Sequence, residues 1–228
     1  MNTTRRQFLT AGAAGTAAAL LPVPARAAFN VGYDRLFEIA EAEIQRNSSR
    51  IALTDRVGIA DFSPYSSSPR FYLLDRESGG VEEFLVTHGR GSDPYHLGWL
   101  QSFSNEPGSN ATSRGAYVTQ EQYDGNYGRA MRLNGLDMDN YMARLRYIVV
   151  HTAWYAEPDM IAKYGKLGRS EGCFAFPSHT IGHILDRLGP GRLLFADKIA
   201  DYQPNGALDG HDAGAESIWP AATFGEPG

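Results

Sequence analysis

The chain has 228 residues, with 21 Lys and Arg against 26 Asp and Glu for a formal charge of −5. That balance leaves no electrostatic footprint for nucleic acid, and a hydrophobic content of 43% over this length makes one domain around one substantial core the default. The single cysteine, Cys173, excludes an internal disulfide.

The first residues read as an address. Thr4-Arg5-Arg6-Gln7-Phe8-Leu9 resembles the twin-arginine export signal, a weakly apolar Ala/Gly-rich run covers residues 10–21, and Ala25-Arg26-Ala27 has the small-x-small form of a cleavage site. The run is too short, and too rich in Gly and Ala, for a stable membrane span. The expected organisation is a signal peptide over 1–27, a helical segment over 28–50, the main domain over 51–200 and a tail over 201–228. Export puts a free thiol into an oxidising compartment, which favours a working thiol over an idle one.

Residues 33–46 carry Leu36, Ile39, Ala40 and Ile44 at helical spacing, predicting an amphipathic helix that covers one side of the domain. Asp34, Glu38 and Glu41 favour its start, and Asn47-Ser48-Ser49 ends it. The pattern then changes to short extended pieces at 57–62, 70–74 and 82–87, punctuated by Ser/Pro-rich and Gly-rich stretches. Such punctuation predicts an antiparallel sheet. His88 stands at the end of the third piece, readable as a hydrogen-bonded structural histidine or as a cleft residue. Residues 92–114 are polar and too long for an ordinary connection. Arg114 within them is either a solvated charge or a forked contact for a substrate carboxylate.

Further strands are predicted at 116–120 and 130–133 around the turn Gly125-Asn126-Tyr127-Gly128, and a short helix or packed turn at 136–145. The apolar run Tyr147-Ile148-Val149-Val150 predicts a buried strand ending in His151. Past the cysteine, residues 178–188 form a helix with Ser178 as its N-cap and Ile181, Ile184, Leu185 and Leu188 on one face. His179 and His183 are four apart, a spacing that suits zinc, yet both fall opposite the apolar face and no third ligand is near. A strand at 191–196 completes the set, and Trp219 and Phe224 are candidate tethers of the tail.

Chemistry concentrates at Gly168-Arg169-Ser170-Glu171-Gly172-Cys173. A thiol of pKa ~8.5 needs a base or a positive neighbour to act as nucleophile, and His151 is the candidate base. Gly165, Gly168 and Gly172 permit a sharp, close-approaching backbone around the sulfur. The histidine precedes the cysteine, the reverse of papain-like and NlpC/P60-like peptidases.

A histidine after a strand followed by Ser-x-Gly-Cys resembles the YkuD-type L,D-transpeptidase catalytic domain, and Gly-Arg-Ser-x-Gly-Cys resembles the murein L,D-transpeptidase subfamily. Val86-Thr87-His88-Gly89-Arg90-Gly91-Ser92, Phe103-Ser104-Asn105, Tyr123-Asp124-Gly125 and Arg132-Leu133-Asn134-Gly135-Leu136 extend the likeness over residues 60–196. Glu171, Phe174 and Ala175 stand where the commoner signature has other residues, so contacts of those residues are not carried over.

The resemblance implies a mainly β fold with flanking helices, a one-domain β-sandwich. It also implies a periplasmic enzyme joining peptidoglycan stem peptides by 3-3 or 1-3 crosslinks through a Cys173 thioester, with no cofactor or metal. Gly172 and Ser170 become candidates for oxyanion and support roles, with the main chain of Ser170 or another loop residue orienting His151. Arg169, Tyr155, His88 and Arg114 become candidates for substrate binding, Arg169 being equally readable as a structural ion pair. Alternatives that stay open are an L,D-carboxypeptidase or amidase using the same pair, a silent wall-binding module, and a zinc peptidase.

Overall fold

The computed structural model describes residues 30–202. The signal segment and the tail with Trp219 and Phe224 lie outside the described residues.

Eight strands join in one sheet, in the order β3-β2-β1-β8-β4-β5-β6-β7. They are β1 (Arg56–Asp61), β2 (Phe71–Asp75), β3 (Gly80–Phe84), β4 (Gly115–Gly125), β5 (Gly128–Gly135), β6 (Val149–Thr152), β7 (Phe174–Phe176) and β8 (Leu193–Asp197). Among the described residues three α-helices accompany the sheet: α1 (Asn30–Arg46), α2 (Pro158–Tyr164) and α3 (Ser178–Leu188).

Central strands are buried on both faces, and their alternation sorts two cores. Val57, Ile59, Ala116, Val118, Leu193 and Phe195 point outward and are covered by Leu36, Ile39, Ala40 and Ile44 of α1. The next residues along the same strands, Ala60, Tyr117, Leu194 and Ala196, point inward with Met131, Leu133 and the apolar face of α3. The sheet rolls up around this inner core. Phe71 on β2 and Phe176 on β7 come from strands near its opposite ends, yet their rings meet at 4.9 Å. The sandwich is thus one continuous sheet folded onto itself.

Several elements differ from the sequence reading. The sheet is mixed, because β1 pairs β8 and β6 pairs β7 in parallel. The third strand begins earlier and ends at Phe84: the Asp75 carboxylate accepts the N–H groups of Glu77 and Ser78, a turn tight enough to pair Gly80 with Asp75. The chain then changes partner, Thr87 N–H donating to Ala175 O and Gly89 bridging to Ser170. His88 therefore lies beyond the strand, alongside the cysteine loop. Residues 137–147 take the packed-turn form of the two expected there; α2 and β7 went unpredicted, and the N-cap of α3 is Pro177, with Ser178 one position inside. The Ser178 N–H is taken by Glu157 Oε1 at 2.7 Å.

Candidate active site

β6 and β7 bring the histidine and the cysteine together. Parallel register sets His151 opposite Ala175, so Cys173, two residues before Ala175, extends the same face. Both residues open into one cleft of 320 Å³, whose other walls are Val149, Ala130 and the β4–β5 hairpin from Tyr123 to Gly128. That hairpin projects Tyr127, 61% exposed, with its ring 5.7 Å from the His151 imidazole.

The imidazole is buried and its Nδ1 lies 2.8 Å from Thr152 O. A carbonyl only accepts, so Nδ1 carries the proton and Nε2 is left as the basic nitrogen. The orienting group is the carbonyl of the next residue in the chain, not Ser170. Burial holds His151 below the ordinary histidine pKa, the Thr152 bond opposing, so the imidazole is neutral at neutral pH.

Cys173 is half-buried, its S–H donating to Tyr147 O at 3.4 Å. Burial pushes the thiol up to about 11, the Val149 N–H and Arg146 favour the thiolate, and Glu171 opposes it. The resting pair is therefore a neutral thiol with a neutral base, rather than a thiolate created by the imidazole alone. Tyr147 turns the chain here with φ +54°, which breaks the apolar run; β6 starts only at Val149, and His151 lies within it.

The turn bearing Cys173 is tightly determined. Gly172 has φ +117°, and a Cβ there would meet Ala111 O at 2.8 Å. Its N–H donates to Ser170 Oγ at 3.1 Å, while Ser170 O–H donates to Cys173 O at 2.7 Å. Gly172 N–H is thus committed to the turn and does not serve as an oxyanion donor in this arrangement. Ser170 also exchanges main-chain bonds with the neighbouring segment, donating to His88 O at 2.9 Å and accepting from Arg90 N–H at 2.7 Å.

The remaining candidates separate. Tyr155 packs partly buried on Ala153, Ala156 and Ala175, beside the face of β6 and β7 that carries His151 and Cys173 and close enough to feel the Cys173 charge, although it does not line the cleft itself. Arg169 donates to the carbonyls of Asp93 and Pro94, stapling that loop to the cysteine loop instead of pairing with a carboxylate. Arg114 pairs with Asp139 at 3.2 Å on the surface, away from the cleft. His183 bonds Glu82 at 2.8 Å and His179 is solvent-facing; among the described residues no group of three metal-ligating side chains occurs.

His88 is interior, only 1% exposed, and absent from the cleft. Its Nδ1 lies 2.8 Å from Nη2 of the fully buried Arg70, and its Nε2 faces Asp93 at 3.5 Å. Arg can only donate, so Nδ1 is the accepting, unprotonated nitrogen. Burial and the Arg70 charge bring His88 down to about 3, against the opposing Asp93. Between pH 6.5 and 3 the unfolded chain therefore binds a proton that the native one does not. Stability is expected to fall with acidification across that window by up to about 1.4 kcal/mol per pH unit. Urea midpoints at pH 7 and pH 4.5 measure this, and His88→Gln flattens the dependence.

Sequence reasoning passed over Arg146. Its guanidinium donates to Ser104 O and Ser113 Oγ, both at 2.7 Å, to Ala111 O at 2.6 Å and to Ser109 Oγ at 3.1 Å. No local motif marks it, since these partners lie more than thirty residues upstream.

Residues 32–196 match the family model of the L,D-transpeptidase catalytic domain, and the chain belongs to that family. Residues 2–22 match the signal sequence of the twin-arginine translocation pathway, which marks the chain for export. Among solved structures, it is similar to an L,D-transpeptidase from Mycobacterium smegmatis at 14% identity and TM-score 0.38, covering 63% of this chain and 58% of that one. It is similar also to an L,D-transpeptidase from Stackebrandtia nassauensis at 12% identity and TM-score 0.39, covering 72% and 66%. A third is L,D-transpeptidase 3 from Mycobacterium tuberculosis, at 15% and 0.36, covering 63% and 60%. The chain thus spans about 58% of the length of the M. smegmatis protein. No curated protein matches.

Proposed function

We propose that this is an exported peptidoglycan L,D-transpeptidase that works through a Cys173 thioester with His151 as general acid and base. The observation that carries the reading is the shared cleft, into which His151 and Cys173 both open with the imidazole fixed by Thr152 O. Family membership and the export signal support the substrate class, a wall peptide met outside the cytoplasm.

Because thiol and imidazole are both neutral at rest, the proton moves as the sulfur attacks. Sγ bonds to the carbonyl carbon of an L-to-D peptide bond while His151 Nε2 takes the thiol proton. The C–N bond then breaks, the departing D-residue amine takes that proton, and the acyl group stays on sulfur as a thioester. An acceptor amine from a second stem attacks the thioester, gives its proton to His151, and releases the sulfur, which takes the proton back. Cys173 N–H is the remaining main-chain candidate for the oxyanion, Gly172 N–H being held by Ser170. Ser170 acts as a positioning residue for the turn. Tyr127 and Tyr123 form the wall against which a stem peptide lies.

Incubating the mature chain with purified muropeptides is expected to yield crosslinked dimers, and mass spectrometry of those dimers assigns 3-3 or 1-3 linkage. Monomers trimmed without dimers would overturn transfer in favour of an L,D-carboxypeptidase.

A further inference from the structure

Arg146 is a half-buried cation whose four hydrogen bonds all go to neutral oxygens. Among the described residues no carboxylate oxygen lies within 4.0 Å of its nitrogens. Removing a guanidinium from water without an anion is costly, and Arg146 bears that cost right behind the nucleophile's turn. Its Nη2 lies 3.4 Å from the Cβ position of Gly172, the residue before Cys173. The next residue, Tyr147, supplies the carbonyl that receives the Cys173 S–H. One segment thus presents the sulfur with its resting acceptor and a fixed positive charge.

We propose that Arg146 is the counter-charge of the Cys173 sulfur, favouring the thiolate and the anionic tetrahedral intermediate, while its donors hold residues 104–113 against the cysteine turn. It is a positioning residue with an electrostatic role. The inference deepens the acyl-transfer reading and rests on it only for the intermediate. The charged and titratable groups that face the same region are His151, Tyr127, Tyr155, Tyr117, Glu106 and Glu171, and Glu171 is paired with Arg90 at 2.9 Å. Arg146 and Cys173 act on one another with the sign expected of a cation beside a nascent anion.

The experiment follows alkylation of Cys173 by neutral iodoacetamide against pH in the mature chain, in Arg146→Gln and in Arg146→Lys. Loss of the charge is expected to move the thiol profile upward and to slow alkylation at pH 8 about tenfold, the factor for one pKa unit. Lysine cannot reproduce four directed bonds but keeps the charge, so it is expected to restore the wild-type profile. Equal shifts in both variants would assign Arg146 a purely structural role, and no shift in either would remove it from the site; either result overturns the proposal. A second measurement isolates the charge from the opposing Glu171 carboxylate: the rate of anionic iodoacetate relative to iodoacetamide is expected to fall in Arg146→Gln and to hold in Arg146→Lys, and a ratio unchanged in Arg146→Gln overturns the proposal. Neither readout uses a wall substrate. Absence of crosslinking from muropeptides would therefore sink the functional reading while leaving these results interpretable.

Discussion

Cys173→Ala is expected to abolish crosslinking, with a fall on the order of 10⁶-fold where a residual rate is measurable, as for loss of an enzyme nucleophile elsewhere. The reasoning starts from covalent necessity. Without sulfur there is no thioester to hold the acyl group while one amine leaves and another arrives, and the neutral base has no proton to take. Fold should survive. Cys173 is half-buried, its turn is held by main-chain and Ser170 bonds that alanine retains, and φ +117° belongs to Gly172 and not to position 173. Thermal unfolding is the control. A carbapenem offers a second readout: the wild-type chain is expected to gain one acyl adduct by mass spectrometry and Cys173→Ala none. Full crosslinking by Cys173→Ala would transfer the chemistry to another group and reopen the zinc peptidase reading.

Much of the fold was legible because it rests on local periodicity. The stripe Leu36, Ile39, Ala40, Ile44 defined a covering helix, and the apolar face of α3 was read residue by residue. Strand boundaries failed where a tertiary contact decided them. The Asp75 turn drew β3 forward, Tyr147 with its positive φ delayed β6, and β7 is three residues long and held by partners on both sides. Parallel pairing was illegible for the same reason, since β1 and β8 are separated by most of the domain.

The site divided similarly. Cysteine and histidine announced themselves by residue type and by the glycines around them. The charged candidates for substrate binding are engaged elsewhere by contacts that no local pattern announces: Arg169 serves two loop carbonyls, Arg114 faces Asp139, and His88 lies inside beside Arg70. Arg146, adjacent in space to the cysteine turn, has its partners at residues 104, 109, 111 and 113, and nothing in its own neighbourhood of sequence reveals them. The long polar segment before Arg114 was recognisable as more than a connection, though what it does is complete the surroundings of that guanidinium.

His151→Gln is expected to lower kcat/KM by about 10²–10⁴-fold, the range that a positioned general base supplies, and to change the shape of its pH dependence. Burial favours the neutral imidazole, so the His151 pKa lies below 6.5 and the base is available throughout the neutral range. Wild-type kcat/KM should fall only on acidification below that point, as Nε2 is protonated, and should be flat around neutrality. In the variant the proton must leave to solvent. The thiol sits at about 11, so below that pH the thiolate fraction, and with it the residual rate, rises about tenfold per pH unit. The two profiles should therefore converge toward alkaline pH. Glutamine can keep a polar group near Thr152 O without being a base, which separates proton transfer from packing. Parallel profiles with a constant offset would show that the imidazole only fills the cleft wall, and the mechanism through a neutral Cys–His pair would then be wrong.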